Sequence, residues 1–276
     1  MQTKLGRSRS AIGSNTAFSA ALAVLALIVV FALVAPLFVD PYGQHLTNQL
    51  APPSRAHFFG TDELGRDIFS RVLYGARVSL LTGALATLIS VIGGLPLGLI
   101  AGYLGRGWDA SIMRVVDFLI AVPAVILAMV FVAILGRNSI NSIIAIGIIG
   151  IPPVAMLTRA GTLSIKQQEY VIATQVLGER SGRLLFGTIL PNVATPVIAQ
   201  MAVFAESAIV LEAALNFLGL GNPPPAPSWG ELLSASQGYL YQAPWYGIFP
   251  GLALMVLVLV LDVLARGLQR MLQGGQ

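Results

Sequence analysis

The chain contains no cysteine and only two histidines. That excludes a disulfide framework, a thiolate nucleophile, a thiolate zinc site and an iron–sulfur cluster. His45 and His57 are too few and too separated for a histidine metal site and read as solvated loop residues. Charge is also scarce: Asp, Glu, Lys and Arg supply 10% of 276 residues, where a soluble domain carries roughly a quarter. With 56% hydrophobic residues and a mean hydropathy of +0.80, a water-soluble enzyme and a disordered chain are both excluded. A phosphate-wrapping GxxxxGK[ST] stretch is missing as well, so nothing here hydrolyses ATP. The glycine-rich IGGLPLG and LGLG stretches lack its lysine and read as close helix packing or turns. The net charge of +4 reads as Lys and Arg gathered in cytoplasmic loops, with no nucleic-acid partner.

What the chain has is long apolar runs. Crossing about 30 Å of hydrocarbon takes about 20 mostly apolar residues. Six stretches qualify: 17–39, the run between Arg77 and Arg106, 115–135, 140–157, 195–217 and 248–265. The first follows Lys4, Arg7 and Arg9 but is too long for a secretory signal, so an uncleaved helix is expected. The fold class is therefore all-α, a polytopic membrane protein with six transmembrane helices. With the N-terminus inside, eleven of the sixteen Lys and Arg face the cytoplasm. The other five are Arg55, Arg66, Arg71, Arg77 and Arg137. This bias predicts an N-in/C-in arrangement.

The expected organisation is a cytoplasmic tail (1–16), a first helix (17–39), an extracytoplasmic segment (40–76), a five-helix core (77–266) and a cytoplasmic tail (267–276). The core carries an inner loop (158–194) and an outer loop (218–247). Segment 40–76 is expected to hold a short interfacial helix, braced by weak surface ion pairs among Arg66, Asp67 and Arg71. Trp229 and Trp245 read as interfacial anchors.

The inner loop includes LSIKQQEYVIATQVLGERSGRLLFGTILPN, from Leu163 to Asn192. Ser164 is suited to cap a helix, and Tyr170, Ala173, Val176 and Leu177 put apolar groups on one face. Gly178 suits a helix end, where positive φ costs least. A second helical stretch is expected over 181–189, with Pro191 opening the turn into the fifth span. Physics alone leaves three readings of the first helix. It lies in the headgroup layer, packs beneath its own bundle, or is presented to a soluble partner's groove.

This segment resembles the cytoplasmic loop signature of permease subunits in bacterial ATP-binding cassette importers. Ala173, Gly178, Leu190 and Pro191 match that pattern at its spacing. Ile172 stands where the family has Glu, Thr174 for an Ala and Thr188 for an Ile, leaving Glu169, one turn earlier, as the candidate substitute. FFGTDELGRDIFSRVLYGARVSL (Phe58 to Leu80), Asp117 followed by Pro123, and LNFLGLGNPPPAPSWGELL (Leu215 to Leu233) resemble the second permease subunit of peptide-, nickel- or glutathione-type importers. The resemblance implies the type I importer permease fold in a bacterial inner membrane. It also implies a homologous second permease, two ATP-binding cassette ATPase subunits and an extracytoplasmic solute-binding protein. ATP and Mg would be used by those ATPases, with no cofactor bound by this chain. Ser164, Glu169, Tyr170, Ala173, Leu177, Gly178, Leu190 and Pro191 would form the ATPase-coupling loop.

Four acids fall within or near spans, where an ionised carboxylate is costly. Asp117 and Asp262 lie close to cytoplasmic ends, within reach of Arg114 and Arg266. Glu206 is deepest, and Glu212 lies about 120° away around the same helix. Each either lines the pathway and attracts a substrate's ammonium group, or bonds to a partner permease. The alternative function is an ion-gradient-driven secondary transporter that uses these acids as proton or sodium sites. An intramembrane enzyme is disfavoured, since no paired-His motif or G-x-S-x-G elbow occurs.

Overall fold

In hydrocarbon every backbone N–H and C=O must find a partner within the chain, and a helix achieves this segment by segment. The computed structural model describes the backbone of residues 3–273 and the side chains of 16–35 and 37–272. The extremities of both expected tails, and the side chains of Lys4, Arg7 and Arg9, lie outside the described residues. The helices are α1 (Thr3–Phe38), α2 (Ile68–Leu104), α3 (Arg106–Ala121), α4 (Ala124–Leu135), α5 (Ser139–Lys166), α6 (Glu169–Val176), α7 (Ser181–Arg183), α8 (Leu190–Phe217), α9 (Trp229–Ser236) and α10 (Trp245–Gln273). Among the described residues five helices are long and apolar enough to span a bilayer, and α3 with α4 makes a sixth, bent by 98°.

Three elements depart from the sequence expectation. The third span is broken, not straight. Val122 is extended (φ −93°, ψ 131°) because the ring of Pro123 crowds the helical conformation of the residue before it. The fifth span starts early: α7, a π-type turn (Leu184–Ile189) and α8 run continuously as Ser181–Phe217. Pro191 therefore lies in helix and opens no turn; it sits in the first turn of α8, where a missing N–H costs little. The second span also starts early: α2 begins at Ile68 and not after Arg77. The helix in segment 40–76 is thus the start of α2 and no separate interfacial helix, and only a short 3₁₀ turn, Leu46–Asn48, lies between α1 and α2. Asp67 then caps α2 by accepting from the Ser70 N–H at 2.8 Å.

α2 and α5 lie parallel and in close contact. Gly94, Gly98 and Gly102, one turn apart, abut Ile151, Val154, Ala155, Thr158 and Thr162. A Cβ at Gly94 would stand 2.7 Å from the Ile151 carbonyl oxygen. Small residues thus let two backbones approach where hydrophobicity gives helices no drive to associate. α8 runs antiparallel across this pair, with Gly83 under Ile209. α10 packs beside α8 and carries α1, whose Phe18 fits against Gly267.

The connections gather at two ends. Residues 39–67, 136–138 and 218–244 meet at one, joined by contacts such as Arg71–Glu231 and Ser139–Asn222. The opposite end carries α6, the α2–α3 junction and the bidentate Arg159–Asp109 pair. Large apolar side chains on the outer faces, such as Leu33, Phe118 and Ile134, are exposed. Such a surface suits hydrocarbon and not water.

Candidate functional site

At the α6 end, α5 continues two residues past Ser164. Lys166 closes it by donating from Nζ to the Tyr103 carbonyl at 2.8 Å. Ser164 is therefore no helix cap. The next helix opens at Glu169 behind an extended Gln168 (φ −71°, ψ 141°) that makes no side-chain cap. The expected helix over 164–178 shortens to Glu169–Val176. Its end is as the sequence indicates: Gly178 has φ +82°. The Gly178 and Glu179 N–H groups donate to the carbonyls of Gln175 and Thr174 at 3.0 and 3.2 Å. Those paired bonds satisfy carbonyls that a bare helix end leaves open.

One residue fastens α6 to the bundle. Val171 is fully buried among Leu184, Ile189 and Val193, with Leu190 packed beside them. Glu169, Tyr170, Ala173, Leu177 and Gly178 are all exposed, as is Pro191. Val176 and Leu177 are 82% and 86% exposed. The apolar face read from the sequence thus points away from the bundle. Ser164 instead lines a cavity of about 450 Å³ between α5, α8 and α10, with Asn192, Gln200 and Gln269.

The two mid-span acids have different surroundings. Glu206 is half-buried and lines a cavity of about 360 Å³ with Ala124, Val125, Ile149 and Phe204. That cavity lies beside the α3–α4 break. One carboxylate in a recess whose only other polar side chain is Ser207 suits an ammonium group. Glu212 is 2% exposed; it accepts from Ser79 Oγ at 3.0 Å and from Asn216 Nδ2, tying α8 to α2. Asp262 pairs with Arg266, whereas Asp117 is exposed and makes no ion pair among the described residues.

At the loop end the charges expected on the surface are buried. Asp62, fully enclosed, accepts from the Leu64 and Arg66 N–H groups at 2.9 Å and from Arg66 Nε at 2.6 Å. Arg71, also enclosed, lies 3.5 Å from Asp62 and donates to Glu231 Oε2 at 2.9 Å. Asp67 pairs with His57 at 3.0 Å, not with an arginine, so His57 is no free loop residue. The cause is α9, which folds over the start of α2. Gly75 leaves room for the Trp229 indole, whose Nε1 donates to the Val72 carbonyl at 2.8 Å. Trp229 is a core residue and not an interfacial anchor. Burial lowers the affinity of the Arg66 guanidinium for its proton, but Asp62 and Glu63 outweigh it and hold the pKa above its ordinary value. Burial raises the Glu231 carboxyl, against the pull of Arg71 and Arg66.

Comparison with known proteins decides the family. Residues 94–273 match the model for the binding-protein-dependent transport system inner membrane component, and residues 12–53 match the N-terminal TM domain of oligopeptide transport permease C. The chain belongs to this transport family. It is 42% identical to the dipeptide transport system permease protein of Alkalihalophilus pseudofirmus, over 90% of this chain and 84% of that one. It is 37% identical to the oligopeptide transport system permease protein of Bacillus subtilis, over 93% and 85%. A solved methionine ABC transporter in inward-facing conformations shares the fold, with a TM-score of 0.62 at 16% identity, over 76% of this chain and 98% of that one.

For this inner membrane transport component, sequence reasoning missed the buried charge clasp and the loop-end cavity beside it. The cavity measures about 330 Å³ and is lined by Arg137, Asn216, Asn222 and Glu231 among others. The clasp had a signal in the DELGRD run; most of the cavity falls in and just after the Leu215–Leu233 stretch, but nothing local to that stretch brings the distant Arg137 to it.

Proposed function

We propose that this chain is one of two homologous permease subunits that together enclose the pathway of an ATP-driven peptide importer. Two ATPase subunits would bind on the cytoplasmic side, and a solute-binding protein would deliver the peptide from outside. Identity of 42% to a dipeptide permease along 90% of the chain carries this reading. No observation favours an ion-gradient mechanism. In this arrangement both termini and the α6 end face the cytoplasm and the loop end faces outward, in keeping with the distribution of Lys and Arg.

The coupling element in this reading is α6 with its Gly178 end. Its outward apolar face, centred on Tyr170, Ala173 and Leu177, is free to enter a groove of an ATPase subunit. Nucleotide-driven closure of the ATPases would shift α6, and the bundle would exchange inward-open for outward-open states. Such a shift is only as large as the partner's difference in affinity for the two states, so α6 must hold its shape while loaded. Glu206, in its largely apolar recess, is the carboxylate best placed to meet a peptide ammonium group on the way through.

Gly178→Val tests the coupling role. Within this chain no atom lies within 4 Å of a Cβ built at this position, so any effect on the fold of α6 itself arises from φ +82°. Forcing a β-branched residue into the left-handed region costs about 1–3 kcal/mol, enough to refold the end of α6. Peptide uptake is expected to fall to background with membrane abundance unchanged; normal uptake by the inserted variant rejects the role. Glu206→Gln is expected to slow uptake of peptides with a free ammonium group more than that of N-acetylated ones. An equal effect on both removes Glu206 from the pathway.

A further inference from the structure

The loop-end cavity is built from parts that the coupling mechanism does not use. Its floor is Asn216, 6% exposed, which donates to Glu212 and accepts from the Asn222 N–H at 2.9 Å. Asn222 in turn is held by Ser139 Oγ at the start of α5. One wall is the α4–α5 turn, which presents Arg137. This side chain is exposed and makes no ion pair among the described residues. α9 lines the same cavity with Glu231, Ser234 and Ala235. Glu231 has one carboxylate oxygen on Arg71 and its side chain is 17% exposed. The turn into the cavity is tight: Gly219 has φ +72°, and a side chain on Gly221 would collide with Asn216. A volume of about 330 Å³ falls at the small end of the ligand-site range of roughly 300–1,000 Å³.

An unpartnered guanidinium and a carboxylate thus line one cleft, together with the side-chain amides of Asn216 and Asn222. Guanidinium groups recognise carboxylates through two parallel hydrogen bonds, which gives directional selectivity. We propose that this cavity is an entry subsite for a small zwitterionic solute, with the solute's carboxylate on Arg137 and its ammonium group toward Glu231. The proposal rests on the peptide-importer reading and specifies the chemistry at the outer mouth: a short peptide with a free C-terminus.

The absence of cysteine makes a direct test possible. Ser234→Cys places a single thiol in the cavity wall of an otherwise cysteine-free chain. Its alkylation by N-ethylmaleimide is timed in membranes holding the complete transporter, with and without dialanine, and with dialanine amide. An occupant at about four times its dissociation constant slows labelling about fivefold by mass action. The free-acid dipeptide is expected to protect and the amide to protect markedly less. Arg137→Gln removes the acid's advantage, and Arg137→Lys keeps part of it. No protection at millimolar dialanine, equal protection by acid and amide, or protection that survives Arg137→Gln overturns the subsite. Equal protection by both is also the result if this face serves only to dock the binding protein. Uptake of labelled dialanine by the same cells separates the two readings. Uptake intact without protection rejects the subsite alone; uptake no greater than in cells lacking this chain rejects the importer.

Discussion

Single residues in this protein act according to what surrounds them. Arg71 follows the adjacent Arg66 and Asp67 by about one turn, and by spacing alone these charges make weak surface pairs. In the fold Arg71 is fully buried between Asp62 and Glu231. Its removal would leave Glu231 without its ion-pair partner and Asp62 with Arg66 alone. Arg71→Ala is therefore expected to destabilise the fold by about 3–5 kcal/mol, the usual cost of breaking a buried pair. A lower melting temperature in detergent and early proteolysis of residues 40–67 would show it. The double change Arg71→Met with Glu231→Gln should recover part of the loss, since the carboxylate at 231 is then no longer left unpaired. A melting temperature unchanged by Arg71→Ala would mean that the clasp contributes nothing. Glu206 and Glu212 teach the same lesson: six residues apart on one helix, one lines a cavity and the other is consumed by Ser79 and Asn216. Counting along the helix puts them on different faces but gives no means of telling which face is occupied.

At the scale of elements, local chemistry is legible where one residue type dictates one conformation. Gly178 ends α6 in the left-handed region, as its position after an apolar face indicates. The start of that helix is not legible, because Ser164 is a good cap in isolation, while its neighbours Ile165 and Lys166 continue α5 by packing and by bonding to Tyr103. Prolines divide the same way. Pro123 breaks the third span, yet Pro152 and Pro153 sit inside α5, and nothing in their immediate sequence tells the cases apart. The α2–α5 contact is the element-level feature most open to attack. Gly98→Leu would drive a side chain into the Ala155 carbonyl and Thr158, and overpacking of this kind costs about 1–3 kcal/mol or more. Reduced thermal stability with the six-span insertion retained is expected. A leucine two residues further on, at the exposed Ile100 (Ile100→Leu), should be silent. Equal effects at both positions would argue against close α2–α5 packing.

For the whole molecule, the decisive prediction concerns the energy source. Uptake is expected to stop when ATP is depleted and to survive collapse of the proton gradient; the reverse pattern would reinstate the ion-driven alternative. The sequence by itself determined the class. Scarce charge and six apolar runs leave only a helical membrane protein, because hydrocarbon accepts no other open backbone. It also determined the family resemblance, because the loop signature depends on local spacing. Only the tertiary structure decided which charges are buried, which acid meets a cavity, and where Arg137 stands relative to Glu231. Those facts depend on contacts between segments as distant as Arg71 and Glu231. Apolar periodicity records that a face is covered, but in a membrane both lipid and protein cover it, so the pattern cannot name the neighbour.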